Sequence, residues 1–394
     1  LFNCFGEVHL IICDGATLTC TGGIKAEKKN AAEIYIHAQS EGDNRGNLVV
    51  SNSYKGAAGI GAATDQMAGD IIIQGGNITV TGGEYAAAIG GGMVEYSEDG
   101  GASDILIYGG KVTATGSYKT AGIGTGAAWS SKECTSPALY VYGGEVTATG
   151  GDMGAGVGGG GGLNISGAWG VRAGLSGAKV FVYGGSLTAK GGYRAAGIGS
   201  GSTNTNKSGK RNGGILRVYG GKVTATGGDY GAGIGGGCNA EGADVEISGG
   251  IVWAKGGKNS AGIGGGEDGL PGSCNIIAGK VTAIIGENCI GRNAGKGSAI
   301  GFGRGADKNY KAENLKIGDI LSVTAGDGEN NIERTFTAPE RVDACQWRNY
   351  AHIDTCAHKD ATYTIIDGEK HRRKCTYCTA NKDEAHDFGP NGNQ

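Results

Sequence analysis

The chain has 394 residues, a net charge of −3 and 84 glycines, about three times the usual glycine share. Four prolines without a Gly-X-Y period exclude collagen, regularly spaced Val and Ile exclude a disordered chain, and the mixed charge marks neither a nucleic-acid nor an anionic-membrane binder. No apolar run reaches the ~18–20 residues of a membrane span, and a chain that opens on Leu1 without a leader reads as a processed or trimmed form.

Residues 1–50 form an imperfect lead-in of short alternating strands: VHLIICDGATLTCTGGI (8–24), AEIYIHAQ (32–39) and GNLVVSNS (46–53). Each ends in Gly, Asp or Asn, as strands and turns do. A solenoid has to blunt its open end against edge pairing, so residues 1–56 are expected to be a degenerate cap with the first coils.

From 57 to 303 the array is regular. A first strand reads IIIQGG (71–76), ILIYGG (105–110), LYVYGG (139–144), VFVYGG (180–185), LRVYGG (216–221) and VEISGG (245–250). A second reads ITVTGG (78–83), VTATGS (112–117), VTATGG (146–151), LTAKGG (187–192), VTATGG (223–228) and VWAKGG (252–257). A third, of very small residues, recurs from AAGIG (57–61) through GAGIGGG (231–237) to SAIGFG (298–303). Between the second glycines at 76, 110, 144, 185, 221, 250 and 279 the steps are 34, 34, 41, 36, 29 and 29 residues. A fixed core with a variable period is a solenoid whose insertions fall in one loop.

Each repeat carries too few apolar groups for a core of its own. Stacking coils ~4.8 Å apart aligns like residues and pairs every strand above and below. The fold predicted is all-β: a parallel β-helix with three short strands per coil, right-handed by the twist that governs parallel crossovers. Alternation puts Ile105 and Ile107 inward and Leu106 and Tyr108 outward, with the same phase in every copy. The insertions (93–104, 127–138, 162–179, 202–214, 238–244 and 267–274) all leave between a third strand and the next first strand. Residues 304–350 are expected to be the closing coil and cap of a solenoid spanning 1–350, and 351–394 a separate Cys/His module.

That module holds Cys356, His358, His371, Cys375, Cys378 and His386, six metal-capable side chains. A CxxC turn gives two thiolates to one ion, and zinc takes four such ligands tetrahedrally, so four of the six are expected to hold a structural zinc. The alternative is a disulfide among these cysteines with ordinary surface histidines. The state of Cys4, Cys13, Cys20, Cys134, Cys238, Cys274 and Cys289 cannot be read from spacing.

On the solenoid, Tyr108, Tyr142, Tyr183 and Tyr219 share one outward position in four successive coils. Tyr140 and Phe181 stand one column over, and Trp129 and Trp169 lie in insertions. An aromatic ribbon can stack sugar rings while polar neighbours bind hydroxyls; equally, the rings can stack on one another and only stabilise the coil. A second ridge carries Glu84-Tyr85, Tyr118-Lys119, Asp152-Met153, Tyr193-Arg194, Asp229-Tyr230 and Lys258-Asn259, which suits glycan, calcium or simply solvent. No nucleophile–base motif is present, and GAGIGGG lacks the Lys-Ser/Thr of a phosphate loop. An enzyme would have to draw on insertion residues such as Glu95, Glu98, Asp99, Asp104, Lys132, Glu133, Arg172, Lys210 and Arg211.

The pattern YGGxVTATGGxxGAGIGGG resembles a large family of glycine-rich repeat proteins of gut-dwelling anaerobic bacteria, mostly carbohydrate-binding-domain-like or surface proteins. The lead-in LIICDGATLTCTGGI and the tail CAH…CTYC…AHDF are similar to segments of the same proteins. The resemblance implies secretion and cell-surface display, with adhesion or glycan binding, and transfers no catalytic residue. The expectation is therefore a non-catalytic surface module that binds carbohydrate or a host ligand, without nucleic acid and without membrane insertion. Its alternatives are a polysaccharide-active β-helix enzyme and a structural stalk.

Overall fold

The structure, a computed structural model, describes residues 1–305 except 97–100, 130–135, 163–174, 203–211 and 288–297. Beyond 305 it describes only the backbone of seven strands between Leu315 and Ala385. It is the expected parallel β-helix, with three strands per coil.

Three sheets run the length of the stack. Third-type strands form one sheet of ten, from Phe2–Cys4 to Ile300–Gly301, and first-type strands another of ten, from Glu7–Ile12 to Leu315–Ile317. Second-type strands run in parallel from Thr17–Cys20 to Gly279–Ile284, after which the sheet continues in antiparallel strands beginning with Tyr350–Thr355. The lead-in is thus already two full coils in register: Phe2 pairs with Ile24, Val8 with Ile34 and Leu18 with Leu48. Tyr350–Thr355 crosses position 350, where the sequence suggests a boundary. Ala361–Ile365, Lys370–Cys375 and Asn381–Ala385 form a separate antiparallel sheet.

Alternation sets the core as the sequence implies. Ile105, Ile107, Val112, Ala114 and Ile123 of one coil are fully buried, and their counterparts Leu139, Val141, Val146, Ala148 and Val157 lie directly above them. Burying a Val, Leu or Ile side chain contributes about 1.5–3 kcal/mol, which each coil gains only because the next covers it.

Small residues of the third strand set how closely coils approach. Gly235 has φ +131, and a Cβ added there would lie 2.1 Å from the carbonyl oxygen of Gly264 in the next coil. Only hydrogen fits, so the column is glycine in every described coil from Gly61 to Gly301.

The ridge before the third strand differs from its sequence reading. Tyr85, Lys119, Met153, Arg194, Tyr230 and Asn259 all have φ between +60 and +69, left-handed corners that turn the side chain under the insertion. Lys119 and Met153 are 3% exposed, and Lys119 Nζ donates to the Gly162 carbonyl at 3.2 Å. The first residue of each pair stays at the surface, as at Glu84, Tyr118 and Tyr193. The ridge is therefore not a uniform solvated edge: alternate positions are roof supports.

Replacing Gly235 with Val should lower stability by at least ~2 kcal/mol in thermal or denaturant unfolding, since strain at positive φ adds to a backbone collision. Gly42→Ala, where the nearest atom to an added Cβ is 4.0 Å away, should stay within ~0.5 kcal/mol of the parent.

Candidate functional site

Because each coil sits squarely on the last, an outward tyrosine repeated in four coils becomes a stack of rings. Tyr108 and Tyr142 have centroids 4.7 Å apart at 7°, Tyr142 and Tyr183 4.9 Å at 7°, and Tyr183 and Tyr219 4.9 Å at 14°. One column over, Tyr140 and Phe181 stack at 4.9 Å and 9°, and Tyr140 lies 6.4 Å from Tyr142. Desolvation by these neighbours pushes the Tyr140 and Tyr142 hydroxyls above the ordinary phenol range.

This geometry decides what the ladder can present. Ring faces inside the stack are covered by other rings, so Tyr142 and Tyr183 offer only edges and hydroxyls to a ligand. A sugar that stacks needs a face not taken by another ring, and in this column only the end rings, Tyr108 and Tyr219, have a single ring neighbour. Below Tyr108 the same position is Gln74 and then His37; above Tyr219 it is Ser248.

Tyr108 lines a groove of about 690 Å³. Its polar lining is Ser40, Glu41, Arg45, Gln74 and Glu145. Its floor is the Gly-Gly corners at Gly75-Gly76 and Gly109-Gly110 with Gly144, where missing side chains leave room beside the ring. Ser40, Glu41 and Arg45 come from the connector 39–46 of the second coil, the place where the lead-in departs from the two-glycine corner of later coils. Glu145 is held across coils by Lys111, with Nζ 3.6 Å from Oε1. A flat apolar face ringed by two carboxylates, a guanidinium and an amide matches a hydroxylated ring ligand.

The other candidate residues fall elsewhere. Trp129 is half-buried against Met93 and Ala127, with its indole N–H covered, and so packs an insertion onto the coil instead of facing solvent. Trp169 lies outside the described residues, as do Glu98, Asp99, Lys132, Glu133, Arg172, Lys210 and Arg211. Asp104 donates its backbone N–H to Asp70 at 3.1 Å, and burial followed by the Asp70 charge raises its carboxyl. Of the metal candidates, Cys356, His358, Cys378 and His386 lie outside the described residues, and only the backbone is described at His371 and Cys375. Among the described residues no three His, Cys, Asp or Glu side chains group as a metal cage would require. Cys4 is a buried thiol pushed up to about 11 by desolvation, while Cys238 accepts from Arg194 at 2.9 Å and Asn239 at 3.2 Å. Cys134 and Cys289 lie outside the described residues.

Six stretches match the family model described as Beta helix repeat: 71–93, 105–127, 139–161, 182–202, 217–238 and 245–267. The chain is a β-helix repeat protein. Each match begins at or within two residues of a first strand and ends just past a third strand, so the matched unit is one coil of the stack. No curated protein and no solved structure matches the chain. No described helix is long and apolar enough to cross a membrane.

Tyr142→Ala should destabilise this β-helix by about 1–3 kcal/mol beyond its lost burial, because two stacked neighbours are removed at ~0.5–1.5 kcal/mol each. Tyr219→Ala, with one stacked neighbour in its column, should cost about half as much in the same denaturant titration.

Proposed function

We propose that this β-helix repeat protein is a secreted or cell-surface binding module that takes a carbohydrate in the groove at the lower end of the tyrosine ladder. One sugar ring lies on the free face of Tyr108; Gln74, Arg45, Glu41 and Glu145 serve its hydroxyls. The observation that carries the reading is the polar groove lined by Tyr108, the end ring of a ladder whose inner rings cover one another. The repeat supports an extracellular setting, where extended β-helices are common. The role is binding without chemistry, and the rest of the ladder stiffens the stack that displays the groove. The structural zinc of the tail stays a proposal that rests on the spacing of its Cys and His residues.

The experiment is a glycan array followed by calorimetric titration of the best-retained oligosaccharide. Tyr108→Ala should weaken binding at least ~10-fold, the order expected for removing a stacking face, while Tyr183→Ala should leave affinity unchanged. Equal binding by Tyr108→Ala and the parent would overturn the placement. Release of reducing ends from the bound glycan would replace the binding role with an enzymatic one.

A further inference from the structure

Two coils below the ladder, the same outer sheet carries a cluster that the carbohydrate reading does not use. Register places His9 beside Tyr35, and His37 beside Ile11 in the next column, so both imidazoles stand on one face of adjacent strands. Their rings lie nearly parallel, with centroids 5.1 Å apart at 15°. Tyr35 stacks on His9 at 4.6 Å and 11°, and its hydroxyl donates to Glu33 at 3.3 Å. The imidazoles are therefore held in orientation by a neighbour that is itself anchored.

The nitrogen arrangement is specific. His9 Nε2 is 2.7 Å from Glu7 Oε1, and a carboxylate only accepts, so that nitrogen carries the proton. In the neutral ring His9 Nδ1 then holds the lone pair, and it faces His37 Nε2 at 2.9 Å. A histidine whose far N–H is held by a carboxylate while its other nitrogen points at a second imidazole has the outer-shell support that metal-ligating histidines use. Around the pair stand Glu7, Glu33 and Asp70, all close enough to act on the Tyr35 hydroxyl, so the local field favours a cation.

We propose that His9 Nδ1 and His37 Nε2 chelate one divalent transition-metal ion, with Glu7 positioning His9 and water completing the coordination. The 2.9 Å between the two nitrogens is the hydrogen bond of the metal-free pair. A turn of the half-exposed His9 ring aims both lone pairs at one ion, and imidazole suits nickel, copper and zinc alike. The ion replaces the proton shared between the rings and displaces no core residue, since His9 is 46% exposed at its side chain.

Nickel is the suitable probe, because copper would also oxidise thiols such as the exposed Cys13. Titrated calorimetrically with Ni²⁺ alone, the full chain should bind one more ion than His9→Phe or His37→Gln does. Any metal held by the C-terminal cysteines is common to all variants and cancels. His9→Phe keeps a ring for Tyr35 to stack on, and an unchanged melting temperature for each variant separates ligand loss from misfolding. Glu7→Gln should keep the stoichiometry and weaken this site about 10–100-fold, as loss of an outer-shell partner does. Equal Ni²⁺ stoichiometry in the parent and both well-folded histidine variants would overturn the proposal and leave the pair a plain hydrogen bond. Neither outcome touches the sugar site at Tyr108, which has its own variants.

Discussion

From Gly61 to Gly264, each third strand passes so close to its counterpart in the next coil that nothing larger than hydrogen fits at its glycine. A Cβ on Gly124 would lie 2.0 Å from the oxygen of Gly158, and one on Gly199 would lie 1.9 Å from the oxygen of Gly235. This contact locks the register of the whole stack: a slip by one residue would drive a side chain into backbone and turn the buried isoleucines outward. Bare backbone at the corner is thus the condition under which the other two sheets can align their columns.

Alignment then has consequences on both faces. Inside, like falls on like: from Ile24 to Ile300 one buried column is Ile or Val in nine successive coils. Outside, the same rule stacks Tyr108, Tyr142, Tyr183 and Tyr219 into a ladder whose inner faces are consumed by one another. Both proposed sites lie where the repetition breaks. The second coil breaks it, with a longer corner at 39–46, and the polar groove lies against the last tyrosine there. The two first coils break it again with His9, Tyr35 and His37 in place of the later aliphatic and tyrosine positions. The regular coils hold the shape, and the proposed carbohydrate and metal sites draw on the irregular ones.

The phase of each strand, the corner at each second glycine and the position of the insertions were legible because all follow from periods of two and of one coil. Gly76, Gly110, Gly144, Gly185, Gly221, Gly250 and Gly279, the residues that measure the repeat in the sequence, are the positive-φ corners of the structure. The left-handed conformation of Lys119 and Met153 was not legible, since Lys and Met rarely adopt it and only a shared corner imposes it. The mutual covering of the tyrosines was one of the two readings that their column left open. Sequence gives the column but not the ring tilt, and the tilt decides whether faces or edges meet solvent. Gln74 escaped because it stands where later copies carry tyrosine. Arg45 and Glu41 escaped because they belong to an irregular connector, although its departure from the Gly-Gly corner was a signal that could have been weighed. The same holds for His9 and His37, which sit in strands read only as a lead-in.

The register of the ladder is the claim on which both the fold and the site depend, and photo-oxidative dityrosine cross-linking followed by peptide mass spectrometry tests it directly. Rings 4.7–4.9 Å apart should join only as column neighbours: Tyr108 to Tyr142, Tyr142 to Tyr183, and Tyr183 to Tyr219. Cross-links that skip a coil within one chain, such as Tyr108 to Tyr183 or Tyr108 to Tyr219, would contradict the stacking described here.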